Sequence, residues 1–153
     1  EHVWSGAGLP YLKSVPDDVH DDDAAWTVQL SLEDVQSALS RVGFRGQLRG
    51  VEVDTRSPSG RATHLRLPGL EPSVMTGEQF RSAIGNVTVR STLFSIDRRD
   101  TNLRVTGYGY GHGVGMCIVG AGRRATRGEG AREILAQYFP GLVVTRLGQR
   151  LPA

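Results

Sequence analysis

Cysteine is almost absent from this 153-residue chain. Cys117 is the only one, so no disulfide can close within the chain and no zinc cluster can be built from cysteines. Lysine is as scarce: Lys13 stands alone among 18 basic residues, the rest being arginine. Sixteen acidic residues offset them to a net charge of +2, and no basic block stands by itself. Arg98-Arg99 and Arg123-Arg124 read as solvated faces, and nucleic acid is not an expected partner. No apolar run approaches the ~20 residues that span a bilayer. The opening EHVWSGAGLPYLKSV lacks the basic, apolar and cleavage-site succession of a secretion signal, and reads as the start of a processed or trimmed chain.

What the chain has in quantity is glycine, 20 residues of it. A hydrophobic share of 39% and a charged share of 22% are those of a folded soluble domain. The length suffices to bury a core, so residues 1–153 read as a single domain. PYLKSV reads as a short strand and the following DDVHDDD as an acidic loop. Asp17, Asp18, His20 and Asp21 to Asp23 lack the spacing of a calcium-binding loop, so they read as solvated.

AWTVQLS places Trp26, Val28 and Leu30 on one side, the pattern of a half-buried strand. Ser31 caps a predicted helix, with Asp34 in capping-box position, an apolar stripe of Leu32, Val35, Leu39 and Val42, and Gly43 as its stop. LRGVEVDTR and RATHLRLPG flank SPSG, which predicts a β-hairpin. TGEQFRSAIG carries Thr76 and Gln79 in capping-box spacing and ends at Gly85, a short helix. NVTVRSTLFSIDRR and NLRVTGYGYG predict a further strand pair turning near Asp100. AREILAQYF is a helix bearing Ile134, Leu135, Tyr138 and Phe139; PG ends it, and LVVTRL reads as a closing strand. Strands and helices mix without regular alternation, so the expected class is α+β, with a mixed or antiparallel sheet, hairpins and three to four short helices.

From Gly107 to Gly115 glycine takes every second position, in GYGYGHGVG. Inside a regular element each glycine costs roughly 0.5–1 kcal/mol relative to alanine, so the alternation needs a reason. In an extended strand the glycines would share one face and Tyr108, Tyr110, His112 and Val114 the other. One surface would then be bare backbone, open to a ligand or another strand. The opposite one would offer two aromatic rings and an imidazole, suited to stacking on sugars and donating to hydroxyls. Equally, the tyrosines could belong to a core, with the glycines permitting tight sheet packing or a bulge. Residue chemistry alone leaves both readings open.

His112 has no second histidine or carboxylate beside it in sequence, so no metal site is expected. Cys117, five residues on, could sit in the first turn of a helix, where a thiol becomes nucleophilic. Among Met116, Ile118 and Val119 it reads instead as apolar packing, and a cysteine hydrolase is not expected. MCIVGAGRRA also matches a strand followed by Gly120-x-Gly122-x-x-Ala125, a dinucleotide fingerprint. That reading fails, because Arg146 stands where an acidic residue is needed and too little sequence follows for the remaining sheet. No cofactor is expected.

The same residues carry a family resemblance. GYGYGHGVGMCIVGAGRRATRGEGAREILAQYFPGLVV resembles the C-terminal region of the SpoIID/LytB family, which includes the stage II sporulation protein D. HVWSGAGLPYLKSV, TRSPSGRA, TGEQFRSAIG and VRSTLFSI resemble further landmarks of that family, in the same order. The resemblance therefore covers nearly the whole chain, and the GHGVGM block is specific to the family.

It implies a cell-wall role in an extracytoplasmic setting: cell wall, periplasm or forespore-facing. Some members are similar to lytic transglycosylases, which cut the MurNAc–GlcNAc bond of peptidoglycan glycan strands and leave 1,6-anhydro ends. Others are described as amidase enhancers, acting on wall hydrolases. Transglycosylase chemistry needs one carboxylic acid to protonate the glycosidic oxygen, donors to sugar hydroxyls and rings for stacking. The family's proposed glutamate lies before the VW…PYL landmark. This sequence opens beside that landmark and Glu1 has no matching context, so the expectation is a chain without that segment and with its catalytic acid unknown. By resemblance, Tyr108, Tyr110 and His112 belong to a ligand-facing strand, and Gly111, Gly113 and Gly115 to close backbone approach. Arg90 and Ser91 fall on the neighbouring strand, Arg81 on the preceding helix adds a donor, and Cys117 completes the set. Many members continue GHGVGM with Ser-Gln or Cys-Gln, whereas Ile118 follows Cys117 here. The implied partners are glycan strands, with another wall hydrolase or the missing N-terminal segment beside them.

Overall fold

The structure, a computed structural model, describes residues 9–13, 15–17 and 24–145. Among these, residues 24–113 form one compact unit, and residues 9–13, 15–17 and 114–145 form a second. The described residues hold four helices and antiparallel sheets joined by hairpins, the expected α+β class. The acidic stretch Asp18 to Asp23 lies outside the described residues, as does Arg146.

The larger unit begins with strand β1 (Ala25–Ser31), in which Trp26 and Leu30 point inward and Ala25, Thr27 and Gln29 outward. Helix α1 (Leu32–Arg41) follows directly. Ser31 Oγ accepts from the Asp34 amide at 3.0 Å and donates to Asp34 Oδ2 at 2.7 Å, so the first turn is capped by adjacent residues. Such a cap is worth about 1 kcal/mol. Val35 and Leu39 are fully buried, whereas Val42, placed in the apolar stripe by its spacing, is exposed where the helix ends. Two-residue strands β2 (Arg45–Gly46) and β5 (Leu70–Glu71) pair with each other. The predicted hairpin is β3 (Glu52–Arg56) with β4 (Ala62–Arg66), to which β6 (Val74–Thr76) adds a third strand. Helix α2 (Gly77–Ile84) opens with the predicted capping box: Thr76 Oγ1 accepts from the Gln79 amide and Gln79 Oε1 accepts from the Thr76 amide.

Strands β7 (Phe94–Arg99) and β8 (Asn102–Tyr108) form the second predicted hairpin, and β8 also pairs with β1, giving the order β1-β8-β7. Asp100, at the turn, has φ 51°. The strand starts at Phe94, later than its sequence pattern suggested, because residues 86–93 form turns and bends. The inner face of this sheet, with Trp26, Leu30, Phe94, Leu103 and Val105, shares one core with Val35 and Leu39 of α1, Phe80 of α2, and Leu65 and Met75 of the β3-β4-β6 sheet. Phe80 and Phe94 stack at a 49° tilt with ring centroids 6.1 Å apart. The outer face carries Asn102, Arg104, Thr106 and Tyr108 along β8, all more accessible than the inner Leu103, Val105 and Gly107.

The second unit contains α3 (Ile118–Thr126) and α4 (Ala131–Tyr138). Cys117 is the N-cap of α3, so Gly120 and Gly122 lie inside a helix with no strand before it, which removes the dinucleotide fingerprint on structural grounds too. Ile134 and Tyr138 of α4 are buried. Neither of two expected strands, PYLKSV and LVVTRL, is seen among its described residues. Pro10 and Tyr11 make a turn closed by the Leu12 amide on the Leu9 carbonyl, and residues 142–145 adopt no regular element.

Candidate functional site

The alternating glycines do not lie on a pleated strand. Strand β8 stops at Tyr108, and then Gly109 (φ 74°), Gly111 (95°) and Gly113 (71°) turn left-handed while Tyr110 and His112 do not. Gly115 repeats the feature in the second unit (89°). The period of two is thus an alternation of backbone hand, which a residue with a Cβ would pay for with about 1–2 kcal/mol per site. The expectation of five glycines sharing one face of an extended strand is corrected accordingly.

Residues 108–113 make an arc whose backbone is pinned from several elements. The Tyr108 amide donates to the Leu93 carbonyl at 2.9 Å and the Gly109 amide to the Ala24 carbonyl at 2.8 Å. Trp26, buried at the edge of the core, donates its indole Nε1–H to the Gly109 carbonyl at 3.1 Å. Ser91 Oγ donates to the Tyr108 carbonyl at 2.5 Å, and the Gly111 amide donates to the Arg90 carbonyl at 2.7 Å. Ser91 and Gly111 also form an isolated parallel bridge. On this frame Tyr108 is 41% exposed and Tyr110 is 69% exposed, so neither ring belongs to the core. His112 is half-buried. Nothing lies within 4 Å of where a Cβ would stand at Gly109 or Gly111, so the backbone there is open to close approach.

The arginine and serine read from sequence as ligand donors do come to the arc, but from beneath. Ser91 is fully buried, its hydroxyl taken by the Tyr108 carbonyl and the Leu93 amide. Arg81, 6% exposed, spends its Nε on the Arg90 carbonyl at 3.2 Å and its Nη1 on Glu78 Oε1 at 2.8 Å. Arg90 is exposed, and its carbonyl receives both Arg81 and Gly111. These residues build the support of the arc.

Sequence reasoning passed over Arg61, which stands at the end of the hairpin turn. A Cβ on Gly113 would overlap Cζ, Nη2 and Nε of Arg61, so this guanidinium fills the place of the missing side chain. Burial lowers the Arg61 pKa; the Glu78 carboxylate opposes that shift and Arg81 adds to it. Arg61 Nη1 and Glu78 Oε2 are both closed off from solvent and have no hydrogen-bond partner among the described residues. The only sequence signal was a charged residue inside the TRSPSGRA landmark.

In the second unit, Cys117 is a half-buried free thiol whose Sγ accepts from the Gly120 amide at 3.5 Å. Gly115 lies 3.9 Å, measured from an ideal Cβ, from the Phe139 ring. Tyr138 donates its hydroxyl to Asp17 Oδ1 at 2.7 Å. Burial first, and then the Asp17 carboxylate, push the Tyr138 phenol up to about 12. Arg124 of α3 pairs with Glu129 at 3.0 Å. Among the described residues no three His, Cys, Asp or Glu side chains gather as metal ligands, and no helix is long and apolar enough to cross a membrane.

Comparison with known proteins places this geometry in a family. A family model described as a domain of unknown function, DUF8618, matches residues 19–115, and the chain belongs to that family. An uncharacterised protein of Brachyspira hyodysenteriae is 30% identical over 144 residues, covering 93% of this chain and 38% of the relative. Stage II sporulation protein D of Bacillus amyloliquefaciens is 29% identical over 147 residues, covering 95% of this chain and 40% of the relative. The amidase enhancer of Bacillus subtilis is 30% identical over 117 residues, covering 75% of this chain and 16% of the relative. The relatives bear out the resemblance: the chain carries a SpoIID/LytB-like domain. It spans two fifths or less of the length of these curated relatives.

Proposed function

We propose that this domain acts at the cell wall, outside the cytoplasm, and binds peptidoglycan glycan strands through the Tyr108–Gly113 arc. The observation that carries the reading is the pair of exposed rings, Tyr108 and Tyr110, on a backbone pinned from Ala24, Trp26 of β1, Arg90, Ser91 and Leu93. A sugar presents an apolar face of C–H groups and a rim of hydroxyls, and tyrosine matches both with its ring and its phenol. Because the arc is held before a ligand arrives, little ordering entropy is lost on binding. The open backbone at Gly109 and Gly111 lets a bulky glycan come close. A relative named for sporulation and one named as an amidase enhancer support a wall setting.

At a finer level the reading has two forms: the whole protein as a lytic transglycosylase, or as a non-catalytic wall-binding or amidase-enhancing module. For the arc itself the second form is favoured by Glu78, which is committed to Arg81 through one oxygen and shut away from solvent at the other. It is not offered to a glycosidic oxygen, as a general acid must be.

Co-sedimentation with purified glycan strands tests the reading. Tyr110→Ala should weaken binding about tenfold or more, and full retention by the Tyr108→Ala/Tyr110→Ala double variant would overturn it. Mass spectrometry of the incubated strands separates the two forms: 1,6-anhydromuramyl ends mean cleavage, and unchanged strands mean binding alone.

A further inference from the structure

We propose that Arg61 is the positioning residue of the arc: its guanidinium is the platform that sets Gly111, His112 and Gly113 at the height where Tyr110 and His112 meet a ligand. The inference rests on the glycan-contact reading above. Three observations lead to it. The guanidinium occupies the space that a Cβ on Gly113 would take, so residue 113 rests directly on a flat cation. Arg61 is itself fixed from below, because its carbonyl accepts from the Ser57 amide at 2.9 Å and the next amide, of Ala62, donates to the Thr92 carbonyl at 2.8 Å. The third is chemical. Arg61 Nη1 and Glu78 Oε2 are buried without hydrogen-bond partners.

Leaving such groups unsatisfied is costly, and a side chain needed only to fill space would be apolar. Arginine differs from an apolar filler in being planar and charged, and from lysine in offering a flat, weakly hydrated face on which a peptide can lie. Glu78 also holds the buried Arg81, whose Nε reaches the Arg90 carbonyl, the same oxygen that receives the Gly111 amide. One carboxylate thus lies near two cations: Arg61, which meets the arc directly at Gly113, and Arg81, which supports the Arg90 carbonyl that holds the Gly111 amide. The contact of Arg61 is with backbone, so what it transmits is position.

The test compares stability with binding. Arg61→Met keeps an apolar stem that reaches as far as Nε, relieves an unsatisfied donor and removes the guanidinium platform beyond it. Its melting temperature should equal or exceed that of the parent protein, while its affinity for purified glycan strands falls about tenfold or more. Adding Tyr110→Ala to it should then cost less than Tyr110→Ala costs alone, since coupled residues are not additive. Hydrogen exchange at the Gly111, His112 and Gly113 amides should quicken in Arg61→Met while exchange in α1 stays unchanged. Arg61→Met binding like the parent, with exchange in the arc unaltered, overturns the positioning role even if Tyr110→Ala abolishes binding. If Tyr110→Ala leaves binding intact, the glycan reading falls, and the exchange measurement alone still decides whether Arg61 holds the arc. Should Arg61→Met fail to fold, Arg61→Lys takes its place with the same expected loss. Failure of both to fold would make Arg61 a residue of the core and overturn the proposal.

Discussion

The indole of Trp26 meets the glycine run twice: its N–H donates to the Gly109 carbonyl at 3.1 Å, and its ring occupies the space where a side chain on Gly107 would stand. Trp26 and Gly107 are direct neighbours in the β1–β8 register, so one buried ring fixes both the last inward position of β8 and the first turn of the arc. Trp26→Phe keeps a ring in the core and removes the donor. It should lower stability by about 2 kcal/mol, combining a lost hydrogen bond with a small cavity. It should also speed hydrogen exchange at Gly111. A urea midpoint equal to that of the parent would show that the Gly109 carbonyl does not depend on this bond.

Ser91 was read from the sequence as a donor to ligand, and the structure turns it inward. Ser91→Ala should leave the Tyr108 carbonyl and the Leu93 amide without their buried partner, at about 1–3 kcal/mol. The measurement is chemical denaturation. Unaltered stability together with weakened ligand binding would return the hydroxyl to the ligand side.

Local features were the legible ones. The caps at Ser31 and Thr76, the SPSG hairpin and the turn at Asp100 depend on residues within a few positions of one another, and all of them form. The arc was misread because a period of two arises both from a pleat and from an alternation of backbone hand, and letters do not separate them. LVVTRL looked like a strand from its β-branched residues, yet a strand also needs a partner edge, and residues 142–145 pair with none among the described residues. The proximity of Arg90 and Ser91 to Gly111 was legible through the family resemblance. Arg61 was not, because its partner Gly113 is distant in the chain and the contact is made to backbone, which leaves no complementary residue type to notice.

Tyr138 carries the pH dependence of the second unit. Its phenol, ordinarily near 10.0, is held up to about 12 by burial and by the Asp17 carboxylate, so the folded protein favours the neutral form. The stability this contributes is complete below about pH 10 and is lost as pH rises towards about 12, since the unfolded chain gives up the proton first. Tyr138→Phe should remove that alkaline loss. It should also forfeit about 0.5–1.5 kcal/mol at neutral pH with the hydrogen bond to Asp17. Denaturation midpoints at a series of pH values test both. Parallel curves for the two proteins above pH ~10 would mean that Tyr138 does not hold its proton against the unfolded state.

Two glycines of α3 should respond to alanine with opposite signs. In a helix interior alanine is favoured over glycine by about 1 kcal/mol. Nothing lies within 4 Å of a Cβ at Gly122, so Gly122→Ala should stabilise by about that amount. Gly120 has the same propensity argument but a different surrounding, because a Cβ there would overlap Asp17 Oδ1 and the Tyr138 hydroxyl oxygen. The carboxylate stands against the first turn of the helix, where backbone N–H groups and the helix dipole favour negative charge. Gly120→Ala must displace it, break the 2.7 Å bond to Tyr138, or bend α3 away. Overpacking of this kind costs about 1–3 kcal/mol, which outweighs the gain in propensity. Thermal unfolding of the two variants side by side reads the signs directly. Stabilisation by both would mean that Asp17 and Tyr138 do not pack on Gly120, and that the network joining α3 to α4 is not what holds this helix.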